Sequence, residues 1–161
     1  MQFFEPKAPE ALYDVEADPH ETRNLAGDPQ YAAVLAEMRD RLRDRVKSMP
    51  DLSFYPESAL IEAALPEAAA FGQAHRGDIA RMIDIADLAI GPLQGDEIRA
   101  ALECERPWER YWSLTACCVL GEKAKSLAEA VKPLLADPER LNRVRAAVFL
   151  SQIGVAGPKP V

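Results

Sequence analysis

Tyr111-Trp-Ser-Leu-Thr-Ala-Cys-Cys-Val-Leu-Gly121 is an apolar segment that ends in glycine, and the chain contains two similar segments. They are residues 81–91 and 144–154, so the three terminal glycines lie 30 and 33 residues apart. Internal repeats indicate a fold more strongly than local propensity does. Each segment is typical of a helix that is closed by a glycine in the left-handed conformation. The sequence therefore predicts a mainly α protein.

The segments between these repeats have apolar residues at helical spacing as well. Residues 96–104 and 124–136 are predicted to form further helices, which gives helix pairs. The turn at Asp137-Pro138 followed by Val144-Arg145, and the pair Tyr111-Trp112, resemble HEAT-like repeats. This resemblance implies antiparallel helix pairs in a right-handed superhelix over residues 75–154, followed by a flexible tail at residues 155–161. Each pair buries its apolar face against the next, so an array of two or three pairs needs a cap at each end.

An amphipathic helix is predicted before the repeats. Asp28 is a good N-cap, Pro29 suits the first helical position, and apolar residues recur at helical spacing as far as Lys47. Residues 51–74 are rich in proline and alanine and predict a connector with one or two short helices. The predicted domains are thus residues 1–50, 51–74 and 75–154, with the tail at residues 155–161.

The N-terminal segment predicts a short β-hairpin. Residues 12–15 form one β-prone run, residues 2–4 form a second, and the pair Asp18-Pro19 is typical of a turn. An isolated hairpin is marginally stable, and its exposed apolar edge favours self-association through this strand. The pattern alone favours an irregular N-terminal arm instead.

A family resemblance shifts the interpretation toward the hairpin. Residues 11–25, Ala-Leu-Tyr-Asp-Val-Glu-Ala-Asp-Pro-His-Glu-Thr-Arg-Asn-Leu, resemble the segment that closes the catalytic domain of sulfatases. The matching residues are Leu12, Tyr13, Asp14, Asp18, Pro19, Glu21, Asn24 and Leu25. Ala11 and Val15 stand where Glu and Leu are usual. The resemblance covers about the first 50 residues and implies that the partner of this segment is a sulfatase catalytic domain missing from the chain.

Sulfate ester hydrolysis needs chemistry that these residues do not supply. Sulfatases use a Cys or Ser convertible to formylglycine in a C/S-x-P/A-x-R motif, together with a divalent cation. The motif has Pro or Ala two residues after the cysteine, whereas Pro107 stands three residues after Cys104. Cys117 and Cys118 lie in an apolar run. Neither His20 nor His75 has an acidic cluster beside it. We therefore assign no catalytic, cofactor-binding or metal-binding residue, and we expect calcium only in the missing catalytic domain.

Charge and hydropathy narrow the possible partners. The net charge of −7 argues against binding to nucleic acid. Basic residues alternate through 39–47, but on a helix this spacing spreads them over a solvated face. No run of about 18 apolar residues predicts a membrane span. The first residues do not resemble a secretory signal, so the chain as it stands is expected in the cytoplasm, whereas a full-length parent could be periplasmic or extracellular.

Aromatic and cysteine clusters have a structural explanation. Trp108, Tyr111 and Trp112 share one helical stripe, which favours packing between helices over a recognition surface. Cys117 and Cys118 could be proposed as a redox pair, but vicinal disulfides are strained, and buried thiols are the simpler interpretation.

Three functional hypotheses follow. The chain is the non-catalytic C-terminal part of a sulfatase that carries a helical-repeat layer, or a freestanding HEAT-like module that binds protein, or an independent enzyme. The first is favoured by the resemblance, and the third lacks a nucleophile, a base and a metal site in proximity. The first hypothesis also predicts that the chain alone has no sulfatase activity.

Overall fold

The computed structural model describes residues 8–155, except for the side chain of Glu62. The chain divides into two compact units, Met1–Ser48 and Met49–Val161. Eight α-helices lie within the described residues, and no strand is formed there. The prediction of a mainly α protein is confirmed.

The predicted N-terminal hairpin is wrong for the part that the structure describes. Residues 12–15 have irregular backbone that leads into a turn, in which the Asp18 amide donates to the Asp14 carbonyl over 2.7 Å. The other predicted strand, residues 2–4, lies outside the described residues. The Leu12 carbonyl accepts a backbone hydrogen bond from the Leu25 amide. Self-association stays a prediction, without a strand at residues 12–15 to support it.

The first unit contains one long helix. A 3-10 turn, Pro29–Tyr31, leads into α1, Ala32–Ser48. The side chain of Asp28 accepts a hydrogen bond from the Gln30 amide, so the predicted N-cap is confirmed. The cap satisfies one of the amides that has no carbonyl partner at the start of a helix.

The second unit begins with short helices that are held by aromatic side chains. A 3-10 turn, Leu52–Phe54, precedes α2, Glu57–Ala63, and α3, Ala68–Ala74. The Trp112 indole donates to the Phe54 carbonyl over 2.8 Å. The buried Tyr55 ring meets Phe71 edge-on, with the ring centroids 5.4 Å apart. The region predicted as a connector is therefore anchored to the later helices of this unit.

The predicted repeats correspond to three longer helices. These are α4, Arg76–Asp87; α6, Pro107–Leu120; and α8, Arg140–Gln152. Helix α5, Gly95–Leu102, lies between the first two and packs against α6, which also contacts α4 and α8. Gly91, Gly121 and Gly154 all have positive φ, as the prediction requires, and Gly121 is the C-cap of α6. Helix α4 ends earlier than predicted, at Asp87 with Leu88 as its C-cap. A HEAT-like superhelix stays a prediction.

The single helix predicted for residues 124–136 is broken. The chain forms a 3-10 segment Gly121–Leu127, one α-helical turn α7, Ala128–Val131, and a second 3-10 segment Lys132–Ala136. Pro133 accounts for the second change, because it has no amide to donate and its ring clashes with the preceding helical turn. The segment still buries Leu127, Val131 and Leu134 in the core.

A buried ion pair joins the last helices of the second unit. The Arg110 guanidinium on α6 binds Asp137 through Nε and Nη2, at 2.6 and 3.1 Å. The same guanidinium donates to the Cys104 carbonyl over 2.9 Å. Asp137 also accepts from the Glu139 amide at the start of α8 and from the Asn142 side chain. The aspartate side chain is 1% exposed, so it needs these partners to remain ionised.

Gly72 offers a first test of this packing. A Cβ there would lie 3.1 Å from the Pro50 carbonyl oxygen, whereas a Cβ at Gly77 would meet nothing within 4 Å. We expect Gly72→Ala to destabilise the second unit by about 1 kcal/mol, because the crowded atom is backbone. Gly77→Ala should stabilise it by about 0.5 kcal/mol through helix propensity. Urea unfolding followed by tryptophan fluorescence measures both changes in stability, since Trp108 and Trp112 lie in this unit. Equal stabilisation by the two substitutions would contradict the close approach of residue 72 to the Pro50 carbonyl.

The pH dependence of stability tests the ion pair. Burial raises the pKa of Asp137, but hydrogen bonds from Arg110, the Glu139 amide and Asn142 outweigh it and leave the pKa below its ordinary value. A lowered pKa stabilises the fold above the unfolded value of about 4 and loses that contribution as the pH falls through the folded value. Asp137→Asn should remove this acid dependence.

The same substitution should cost about 3 kcal/mol at neutral pH, because it leaves the Arg110 charge without its carboxylate. Glu129→Gln is the control, since its pair with Lys132 is largely exposed and contributes less than about 1 kcal/mol. Urea unfolding at pH 7 and at successively lower pH measures both variants. If Asp137→Asn retained the acid dependence of the wild type, another group would be responsible.

Candidate functional site

The segment of residues 10–28 is organised by the polar residues that carry the sulfatase resemblance. Asp14 accepts hydrogen bonds from the amides of Glu16 and Ala17, at 3.1 Å each. Asp18 accepts from the amides of Thr22 and Arg23, at 2.7 and 2.8 Å, and from the Thr22 hydroxyl. Both aspartates therefore bind the backbone that follows them, as is usual for aspartate in turns.

Asn24 closes this loop with its side-chain amide. Its Oδ1 accepts from the Leu12 amide over 3.0 Å, and its Nδ2 donates to the Glu10 carbonyl over 3.1 Å. Oδ1 also accepts from the Ala26 amide. One side chain thus occupies the place that a neighbouring strand would take beside residues 10 and 12. The sequence identified Asn24 as part of the resemblance, but gave no indication of this bridging role.

Electrostatics agree with a structural role for Asp18. The amide of Arg23 is the largest influence on its carboxyl, burial opposes it, and the hydroxyl and amide of Thr22 add to the effect of Arg23. The pKa of Asp18 lies below its ordinary value as a result. The carboxylate is ionised at neutral pH and is committed to its own loop, so it is not a free acid or base.

Glu21 is the unusual residue of the loop. Its φ of 51° is the single positive value at a non-glycine residue in the described part of the chain. This conformation is unfavourable for a side chain that bears a Cβ. The hydrogen bonds around Asp18 and the bond from the Glu21 amide to the Asp18 carbonyl hold it there.

A salt bridge joins the loop to α1. Arg39 binds Glu10 through Nε and Nη2, at 2.6 and 2.7 Å. The hydrogen bond to Arg39 is the largest influence on Glu10 and keeps the pKa of that carboxyl below its ordinary value, with burial acting in the opposite direction. The sequence analysis missed this pair, because two opposite charges 29 residues apart leave no local pattern.

Two further basic residues of α1 form ion pairs along the same helix. Arg41 pairs with Glu37 at 2.6 Å, and Arg43 pairs with Asp40 at 3.2 Å. Both pairs are exposed and lie one turn apart along α1, as the predicted solvated face requires. Within the described residues, no helix has both the length and the apolar character needed to cross a membrane.

The three cysteines have a poor environment for nucleophilic chemistry. All are free thiols. Burial, with a smaller contribution from the neighbouring Cys118, raises the pKa of Cys117 to about 12, and burial also raises the pKa values of Cys104 and Cys118. A thiol is nucleophilic as its thiolate, so a raised pKa makes it unreactive at neutral pH. Cys118 instead donates to the Arg145 carbonyl across the helix interface.

A cavity of about 620 Å³ lies beside Cys104 in the second unit. Arg110 and Asp137 line part of it, but both are engaged in the buried ion pair. Much of the remaining lining is apolar and includes Leu102, Pro133 and Pro138. No group of three or more His, Cys, Asp or Glu residues that could hold a metal ion occurs in residues 8–155. The described residues therefore do not fit a calcium site. The resemblance to sulfatases implies such a site in the catalytic domain.

The aromatic stripe of α6 is partly buried. Trp108, Tyr111 and Trp112 are all of intermediate exposure, with neighbouring rings in edge-on contact. The Tyr111 hydroxyl accepts from Arg145 on α8 over 2.6 Å, and the Arg145 guanidinium lies 4.4 Å from the ring centroid. These contacts join α6 to α8, in agreement with the predicted packing role.

Three curated proteins with partial similarity to this chain are all sulfatases. The ulvan-active sulfatase of Formosa agariphila is 40% identical over 62 residues, which are 38% of this chain and 10% of that protein. The Delta 4,5-hexuronate-2-O-sulfatase of Bacteroides thetaiotaomicron is 48% identical over 42 residues, 26% of this chain and 9% of that protein. The human N-sulphoglucosamine sulphohydrolase is 58% identical over 31 residues, 19% of this chain and 6% of that protein.

The chain thus has short, partial similarity to sulfatases, and it spans a tenth or less of the length of these curated relatives. No protein-family model and no solved structure matches the chain.

Asn24 provides a test of the loop. Asn24→Asp keeps an oxygen for the Leu12 amide, but loses the donor to the Glu10 carbonyl and places a negative charge beside that oxygen. We expect the amides of Leu12 and Leu25 to exchange with solvent about tenfold faster, which corresponds to the loss of roughly one hydrogen bond. Hydrogen exchange followed by NMR measures this. His20→Ala is the control because the His20 side chain is exposed. Unchanged amide exchange in Asn24→Asp would show that the Asn24 side chain does not hold the loop.

Proposed function

We propose that this chain is a non-catalytic part of a sulfatase, a sulfuric ester hydrolase, in which the first unit completes the catalytic domain. The helical second unit forms an accessory layer. The partial similarity to three sulfatases from distant organisms supports this proposal most directly. The proposal assigns none of the substrates of those relatives to this chain.

The geometry of the first unit supports a structural contribution. Its loop is fixed by internal hydrogen bonds to Asp14, Asp18 and Asn24, and the carboxylates of the two aspartates are engaged in holding backbone amides. Such a segment presents a defined surface and contributes no nucleophile or base. The reacting groups and the calcium ion of the proposed enzyme therefore belong to the catalytic domain outside this chain.

A freestanding protein-binding module is the alternative. The second unit has its own core, centred on residues such as Leu114, Val131 and Phe149, which favours independent folding. Its last helix also leaves Val144 and Val148 about half exposed. Exposed apolar residues of this kind occur at protein interaction sites. This alternative gives no reason for the loop of the first unit to resemble a sulfatase segment.

A chimera distinguishes these possibilities. Residues 1–48 would replace the segment that they resemble in one of the curated sulfatases, and hydrolysis of that enzyme's own substrate would be measured with calcium present. We expect activity within about tenfold of the parent, a difference of about 1.4 kcal/mol in the barrier. A scrambled version of residues 1–48 is the control and should abolish activity.

The complete chain alone should hydrolyse no aryl sulfate, with or without calcium. A soluble, folded chimera without activity would contradict the proposed completion of the catalytic domain. Turnover by the purified chain alone would contradict the assignment of the chemistry to the missing domain.

A further inference from the structure

Helix α1 has an apolar face that its own unit does not cover. Val34, Met38 and Leu42 follow one another at intervals of four residues, which places them in one row along the helix. Their exposed fractions are 42%, 45% and 64%. We call these three residues the α1 stripe. No residue of α1 is buried.

The first unit has almost no core. Leu25 is the only buried residue among the described residues 8–48. Residues 8–48 bury a single side chain and therefore gain little from the hydrophobic effect, since that gain is proportional to the apolar area removed from water. The unit therefore needs a partner to cover its apolar surface.

The loop does not provide the surface for that partner. Main-chain groups of Glu10, Leu12 and Leu25 are occupied by the Asn24 side chain and by each other. Strand addition requires a row of unpaired amides and carbonyls, and this segment does not present one. Among residues 8–48, the α1 stripe is the remaining apolar surface with a regular geometry.

We propose that the α1 stripe is the surface by which the first unit docks on the body of a sulfatase-like catalytic domain. The inference rests on the proposed function. It identifies the surface of this chain that binds the partner. The mode of recognition is a helix that packs in an apolar groove of the catalytic domain.

A second copy of the chain is a poorer occupant. Stable coiled coils are sustained over three or four heptads, whereas α1 has 17 residues, little more than two heptads. The charges of α1 that would flank a helix partner are also engaged along the helix, in the pairs Arg41–Glu37 and Arg43–Asp40. A large partner agrees with the curated relatives, of which this chain spans a tenth or less.

The test uses the active chimera. Met38→Asp and Leu42→Asp place a carboxylate on the α1 stripe, and Ala36→Asp places the same group about 160° around the helix, since successive residues differ by about 100°. All three positions are exposed, so the complete chain should tolerate each change with unchanged helix content by circular dichroism. In the chimera, the two stripe variants should lose sulfatase activity by about tenfold or more, with a lower thermal midpoint, and Ala36→Asp should match the unmodified chimera.

The outcomes separate the two proposals. An inactive, folded chimera contradicts the proposed function and removes this inference with it. An active chimera that tolerates both stripe substitutions overturns the docking surface alone. Sedimentation of the complete chain tests the other occupant, because a dimer that Met38→Asp dissociates and Ala36→Asp does not would assign the stripe to a second copy.

Discussion

The ion pair between Arg110 and Asp137 is the interaction on which the helical unit most depends. It connects α6, the end of α5 through the Cys104 carbonyl, and the start of α8 through the Glu139 amide. Two charges removed from water are favourable only if their remaining hydrogen-bonding capacity is met. Asp137 meets this condition with four donors, and Asn142 extends the network to the Pro107 carbonyl. The relative positions of the helices are thereby fixed by directional bonds as well as by apolar packing.

Sequence reasoning succeeded where one residue determines local structure. A glycine that ends an apolar helical segment needs a positive φ, and Gly91, Gly121 and Gly154 all have one. Asp28 caps the helix that its position predicts. The broken segment at residues 121–136 was not predicted, because apolar spacing describes which residues are buried and does not distinguish α from 3-10 geometry. Pro133 was the available signal for part of that break.

The hairpin prediction failed for a different reason. Residues 12–15 have strand propensity, but propensity is a weak guide when the partner of the backbone is unknown. That partner is the side chain of Asn24, twelve residues from Leu12. The resemblance of residues 11–25 to sulfatases, by contrast, is supported in part by the similarity of the chain to three of them. The resemblance therefore anticipated the partial similarity to sulfatases, but it did not predict the local backbone correctly. The pairing of Glu10 with Arg39 had no signal in the sequence.

The bridging amide of Asn24 also bears on how the chain behaves at high concentration. An extended segment can pair with another molecule when its main-chain amides and carbonyls are unpaired. Here the Leu12 amide and carbonyl already have partners within the loop. The loop thus keeps the main chain at Leu12 from pairing with another molecule, and unfolding of the loop alone would be enough to expose it.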